Sequence, residues 1–138
     1  MAVFNEYSLL TQVAIRSPLN SFLTDEKLSN EWQDLRFHSK PKLKESINEF
    51  IEFRKLLLNN EIEIIDLPQA KGLTIDSIYT RDSILISPKG LILCNMGRAS
   101  RTPEAKNNSE YLKSLGHEVA GEILAPGTLE GGDFIWLN

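Results

Sequence analysis

LKESINEFIEFRKLLLNNEIEIIDLP, residues 43–68, decides the class of the fold. In its first half Leu43, Ile47, Phe50, Ile51, Leu57 and Leu58 recur at helical spacing, which predicts an amphipathic helix ended by Asn59-Asn60. Pro41, just upstream, suits the first turn, where a missing N–H costs nothing and a fixed φ is already helical. Lys44, Glu45, Glu49, Glu52 and Lys55 form the expected solvated face. In the second half the period changes. Residues 61–67 alternate, are rich in isoleucine and stop at Pro68, as a strand does before a residue that cannot donate to a ladder.

Toward the N-terminus, residues 7–16 are apolar and β-prone and close at Ser17-Pro18, so a first strand is expected there. The result is a strand-helix-strand unit, its connection over residues 20–40 read as a long loop holding a short helix. Toward the C-terminus, apolar runs at 83–87 and 91–95 flank Pro88-Lys89-Gly90 and predict a hairpin. A second helix follows, with Thr102 as its N-cap, Pro103 at the first position, Glu104 against the positive end of the dipole and Gly116 as its stop. Ala105, Leu112 and Leu115 are its expected buried stripe. Strands are then expected at 117–124 and 133–137, with a turn at Ala125-Pro126-Gly127 between them.

Two stretches thus share one order: helix, strand, a break at Pro68 or Pro126, a polar segment ending at Asp82 or Asp133, and an apolar strand. Such units usually stack or close around an axis, because none buries a core alone, and acids at matching points then converge. With 138 residues, one α/β domain is the expectation. The chain stops one residue after the apolar run 134–137, which leaves a strand with no evident partner, so the natural chain is expected to be longer.

Fifteen basic against nineteen acidic residues give a net charge of -4, which argues against a nucleic-acid binder and favours a cationic or zwitterionic ligand. One cysteine and two histidines supply no disulfide and no spaced metal-ligand set, so neither a metal nor a cofactor is expected. No apolar run approaches the roughly 18 residues of a membrane span and no signal peptide precedes the first strand, so a cytoplasmic location is expected, with no membrane partner.

Chemistry is concentrated in two stretches. DSIYTRD, residues 76–82, sets two carboxylates around an aromatic residue, and TLEGGD, residues 128–133, sets two glycines between acids. Asx turns explain the first and an ordinary flexible loop the second, unless their acids act together. Neither stretch has the lysine of a phosphate loop or a dinucleotide fingerprint.

These stretches, with Arg98 and Arg101 before the second helix and APGTLEGGD at 125–133, resemble the guanidino-group-modifying superfamily of dimethylarginine dimethylaminohydrolases, arginine deiminases and amidinotransferases. The resemblance runs over essentially the whole chain. It implies a pentein fold, a pseudo-fivefold α/β propeller of ββαβ units, of which these residues form an N-terminal, incomplete part. It also implies that Asp82 and Glu130 bind the guanidinium, that Asp76 and Tyr79 lie on the substrate side, and that Arg101, or else Arg98, holds the substrate carboxylate. The chemistry is consistent, since a planar guanidinium presents a fork of donors to two carboxylates. The Thr-Arg-Asp at 80–82 is closer to the deiminases, whereas Arg101 is closer to the dimethylarginine enzymes.

In this superfamily a cysteine thiolate attacks the guanidinium carbon and a histidine moves the protons. The resemblance places both later in the chain. Cys94 is expected to be a buried core thiol, His117 a helix C-terminal contact, and His38 has no evident partner. The expected activity is an amidine hydrolase acting on arginine or a derivative, with these 138 residues inactive alone. The alternatives are an amidinotransferase, or a non-catalytic module binding guanidino compounds or protein, as in ribosome anti-association factors of the same general fold. Homo-oligomerisation is left open.

Overall fold

The elements of the computed structural model, which describes residues 5–137, fall into two units: residues 10–79, and residues 80–137 together with 5–9. In the first, β1 (Gln12–Ile15) and β2 (Glu63–Asp66) pair in parallel, Gln12 opposite Glu63 and Ile15 opposite Asp66. Parallel neighbours need a long crossover, and α3 (Leu43–Asn59) supplies it, as the period change at residue 60 predicts. Pro41 stands just before the N-cap, Lys42, and not in the first turn. The first strand is also shorter than expected; residues 5–8 bend, with Asn5 Oδ1 accepting the N–H groups of Tyr7 and Ser8.

Residues 20–40 hold the expected short helix, α2 (Asp25–Glu31), and share a second, α1 (Pro18–Ser21), with the residues before them; the N-cap of α2, Thr24, accepts the Lys27 N–H at 3.1 Å, with Asp25 and Glu26 complementing the dipole. Leu28 and Ile75 are completely buried and form a core with Phe22 and Leu35, against which Trp32, Phe37, Leu43 and Ile78 pack. Helices of four and seven residues are too short to show a 3.6-residue period, which is why the bounds of α2, and α1 altogether, do not show in the sequence.

In the second unit β3 (Ile84–Ser87) and β4 (Gly90–Leu93) form the expected hairpin, and β5 (Val119–Glu122) adds to β4 in parallel, in the order β3-β4-β5. The crossover is α4 (Pro103–Ser114). Gly90 has a φ of +121°, and a Cβ there would stand 2.5 Å from the Glu118 carbonyl, so only glycine admits this approach of β5. Leu85, Cys94 and Met96 form the core, with Ile92, Leu129 and Phe134 packed on it.

Three expectations for this unit change. Thr102 is itself helical, and its hydroxyl donates to the Ala99 carbonyl and does not cap α4. Leu115 is half exposed; the face that α4 buries carries Glu104, Asn108 and Ser109 beside Ala105 and Leu112. Residues 133–137 form no strand. A 3-10 turn, Gly131–Asp133, leads into irregular backbone, where Trp136 Nε1 donates to the Ile86 carbonyl at 2.9 Å and packs edge-on against Phe134. The internal repeat therefore holds for the two crossovers, β1-α3-β2 and β4-α4-β5, and fails after Asp133.

Candidate functional site

Asp82 lies in a 3-10 turn, Thr80–Ser83, that runs directly into β3. The turn is fixed by the buried Ser83: its hydroxyl donates to the Thr80 carbonyl and accepts Asn108 Nδ2 at 2.8 Å, and its carbonyl accepts the Cys94 N–H at 3.0 Å. Asp82 is half-buried, and its Oδ2 accepts Arg101 Nη1 at 2.9 Å. Arg101 donates on its other side to Glu104, Nε to Oε1 at 2.7 Å and Nη2 to Oε2 at 2.9 Å. This fork is the strong, bidentate kind of ion pair. Burial works against the Arg101 charge, but hydrogen bonding to Glu104, and then to Asp82, outweighs it and keeps the guanidinium protonated.

Glu130 is the extended residue before the Gly131–Asp133 turn. Its Oε1 accepts the Gly97 N–H at 3.1 Å, and its own N–H donates to Asp133 Oδ2 in a reciprocal capping box. Upstream, the Leu129 N–H reaches the Asn95 carbonyl and Asn95 Nδ2 reaches the Gly127 carbonyl. The two acidic stretches meet at the glycines. A Cβ on Gly131 would stand 2.0 Å from the Arg81 carbonyl oxygen, and one on Gly132 would stand 3.7 Å from Asp82 Oδ1. Arg81 secures the junction by donating to the Phe134 carbonyl and to Glu6, each at 3.1 Å.

Close to these acids is the Cys94 thiol. Burial pushes its pKa up, a backbone hydrogen bond from Leu85 works the other way, and the fields of Asp82, Glu130 and Asp133 raise it further. A buried thiol among carboxylates stays protonated and is a poor nucleophile, in keeping with its expected core role. The sites that hold it can instead attract a cation: Asp82 and Glu130 are half-buried carboxylates on joined backbone segments.

Of the other residues singled out by sequence, Arg98 is half-buried and begins the 3-10 turn Ala99–Arg101, its carbonyl accepting the Arg101 N–H. Asp76 and Tyr79 belong to the unit of residues 10–79. There Asp76 is buried in the turn Ile75–Ile78, and Tyr79 is half exposed and stacked on Phe37 with ring centroids 6.3 Å apart. The same turn is held by Arg16, buried, whose Nη1 donates to the Ser77 carbonyl at 2.9 Å and whose Nε donates to the Pro68 carbonyl. His117 meets α4 through its N–H, which donates to the Leu112 carbonyl, and His38 lines a shallow cleft with Lys40, Lys42 and Glu45. Among the described residues no group of three His, Cys, Asp or Glu is arranged to hold a metal ion, and no helix is long and apolar enough to cross a membrane.

Sequence reasoning missed Glu104, Asn108 and Arg16 as buried polar anchors. A usable signal existed for Glu104, which follows Arg101 by three residues at the start of a helix. Arg16, at the end of an apolar strand, gave a weaker one.

A family model described as N,N dimethylarginine dimethylhydrolase, eukaryotic, matches residues 20–135. No curated protein sequence matches the chain. Among solved structures, a dimethylarginine dimethylaminohydrolase adduct with 4-chloro-2-hydroxymethylpyridine is 22% identical at a TM-score of 0.72, over 94% of this chain and 46% of that one. A mutant of the Pseudomonas aeruginosa enzyme complexed with citrulline is 23% identical at 0.71, over 91% and 46%. The substrate-bound N-terminal domain of ArgZ, an arginine dihydrolase of Cyanobacteria, is 16% identical at 0.67, over 87% and 42%. The chain therefore spans less than half the length of these relatives, and at such identities the likeness is one of fold. With its family model matched over residues 20–135 and its mixed α/β elements matching part of the pentein fold, the chain belongs to the dimethylarginine dimethylaminohydrolase family of the guanidino-modifying superfamily.

Proposed function

We propose that this chain is the guanidinium-binding part of an amidine hydrolase acting on arginine or a methylated arginine, and that it contributes to one propeller domain. The observation that carries the reading is the junction of the two acidic stretches, with Gly131 against the Arg81 carbonyl and Gly132 beside Asp82 Oδ1. Two acids some fifty positions apart lie on backbone segments that meet, and a cationic ligand there is attracted by both. Asp82 and Glu130 receive the edges of the guanidinium. Asp76 and Tyr79 take substrate-side roles, and Arg98 or Arg101 meets the substrate carboxylate. Arg101 has three N–H donors engaged by Glu104 and Asp82.

Hydrolysis then follows a thiolate route. A cysteine thiolate adds to the guanidinium carbon, a protonated histidine gives its proton to the departing amine, and water displaces the sulfur to leave a ureido product. Neither group is Cys94 or His117. The Cys94 thiol is buried and its pKa is raised, and the superfamily resemblance places both reacting groups later in the chain. Alone, the 138 residues bind without turnover.

The test is citrulline release from arginine and from N,N-dimethylarginine by the protein as the cell makes it. Asp82→Asn and Glu130→Gln are each expected to lower kcat/KM by about a hundredfold with circular dichroism unchanged. Unchanged kinetics in both variants would sink the assignment.

A further inference from the structure

The segment that bears Asp76 builds little of its own scaffold. Residues 67–74, between β2 and the turn Ile75–Ile78, form no helix or strand. Thr74 stands in the N-cap position of that turn and does not cap it; its hydroxyl is buried and meets no hydrogen-bond partner among the described residues. The first N–H of the turn is satisfied from elsewhere in the same unit. Glu31, the last residue of α2, accepts the Ile75 N–H on Oε2 at 2.9 Å, across 44 positions of sequence. Lys27, one turn earlier on α2, donates to the Leu73 carbonyl at 2.9 Å and also pairs with Oε1 of Glu31. The two side chains thus hold the main chain on either side of Thr74, and each holds the other.

An ion pair spaced by four residues on a helix adds little to stability by itself. Engaged with two backbone groups of another segment, it fixes a position. A threonine cap would satisfy the turn from within, whereas a carboxylate lent by α2 also ties the turn to that helix. The tie has an apolar part as well, because Leu28, next to Lys27, is completely buried in the core that Ile75 also enters. Asp76, the residue after Ile75, is itself buried, and Tyr79 at the far end of the turn stacks on Phe37.

Resting on the reading of Asp76 as a substrate-side acid, we infer that Glu31, braced by Lys27, is a positioning residue: by capping the Ile75–Ile78 turn from α2 it sets where the Asp76 carboxylate stands. It acts on the ligand only through Asp76.

A residue that works through Asp76 loses its effect once Asp76 is gone, whereas one that serves the fold alone adds its effect to any other. The test is a double-mutant cycle on the native protein, read as kcat/KM for citrulline release from arginine, with folding followed by circular dichroism. Glu31→Ala is expected to lower kcat/KM by about tenfold and Asp76→Asn by about a hundredfold. The two together are expected to lower it by about a hundredfold again, not a thousandfold. Glu31→Gln keeps an acceptor for the Ile75 N–H and is expected to stay within about threefold of the unaltered protein. No effect of Glu31→Ala, effects that multiply in the double variant, or a Glu31→Gln as impaired as Glu31→Ala would each overturn the inference. Should Glu31→Ala fail to fold, Lys27→Met, which frees the Leu73 carbonyl and leaves the Ile75 cap, takes its place in the cycle, with about threefold expected and the same reading. Asp76→Asn separates the two levels of the argument. If it leaves kcat/KM intact, or if the unaltered protein releases no citrulline, the functional reading fails and the inference with it; if it impairs release while the Glu31 and Lys27 variants do not, only the positioning role fails.

Discussion

Gly131→Ala measures whether the two acidic stretches are joined as the structure has them. The new Cβ would stand 2.0 Å from the Arg81 carbonyl oxygen, 2.8 Å from its carbon and 3.3 Å from its Cγ, whereas real Cβ atoms do not approach within 3.0 Å. The atoms at risk are mainly backbone, and Arg81 is held on the far side by Phe134 and Glu6, so rotating a side chain gives no relief. One segment must move by about 1 Å, which strains a packed region by about 1–3 kcal/mol and loosens the Arg81 and Asp82 contacts beside it. The expected total is about 2–4 kcal/mol, toward the upper end for a single substitution.

The assay is urea unfolding followed by the fluorescence of Trp136, whose indole sits within this region on the Ile86 carbonyl. At an m-value of about 1–2 kcal/mol per molar, the midpoint of Gly131→Ala is expected to fall by at least about 1 M. Gly132→Ala is the internal control. Its Cβ would lie 3.7 Å from Asp82 Oδ1, an ordinary contact, and the cost is expected to stay within about 0.5 kcal/mol. Equal midpoints for the two variants would refute the close approach at Gly131, and with it the joining of the two stretches on which the site depends.

Two further outcomes test the description of each unit. Cys94→Ala is expected to keep any activity of the protein and to cost about 1 kcal/mol for the small cavity. Because burial first, and the neighbouring carboxylates next, raise the folded thiol pKa, its stabilisation is full below the ordinary thiol range and is lost as pH rises through and above it; Cys94→Ala should flatten that alkaline decline in melting temperature, and an unchanged decline would show the thiol is not its source. Thr24→Ala removes the acceptor of the Lys27 N–H and is expected to lower the stability of the unit of residues 10–79 by about 1 kcal/mol, read from Trp32 fluorescence in urea; an unchanged midpoint would mean that the Thr24 cap carries no weight.

The crossovers were legible because their signals are long. Seventeen residues of α3 display a helical period over nearly five turns, and the switch to alternation at residue 61 marks where β2 begins. The hairpin at Pro88-Lys89 was legible from turn chemistry. A short helix within residues 20–40 was expected, but its bounds, and α1 altogether, were hidden for lack of length, although Thr24-Asp25-Glu26 is a recognisable helix start. The segment after Asp133 was misread for a different reason. Phe134 and Trp136 have the composition of a strand, but they are spent on a ring contact and on an indole hydrogen bond to Ile86, which apolar patterning does not distinguish from a ladder.

The sharpest disagreement, at α4, is also the most useful one. Apolar periodicity assigned its buried stripe to Ala105, Leu112 and Leu115, and Leu115 is half exposed while Glu104 and Asn108 are sealed inside. A rule that equates burial with hydrophobicity fails wherever a helix is asked to hold polar groups in place, since the same face must then carry donors and acceptors matched to those groups. Arg101 and Glu104 satisfy each other, Asp82 completes the Arg101 fork, and Asn108 completes Ser83. Glu104 therefore looked, in the sequence, like a residue tuned to the helix dipole, a role any first-turn acid can fill on the surface. Its full burial separates the two roles: a dipole partner gains nothing from leaving water, whereas a carboxylate that grips the buried Arg101 guanidinium by both oxygens is stronger where solvent does not compete.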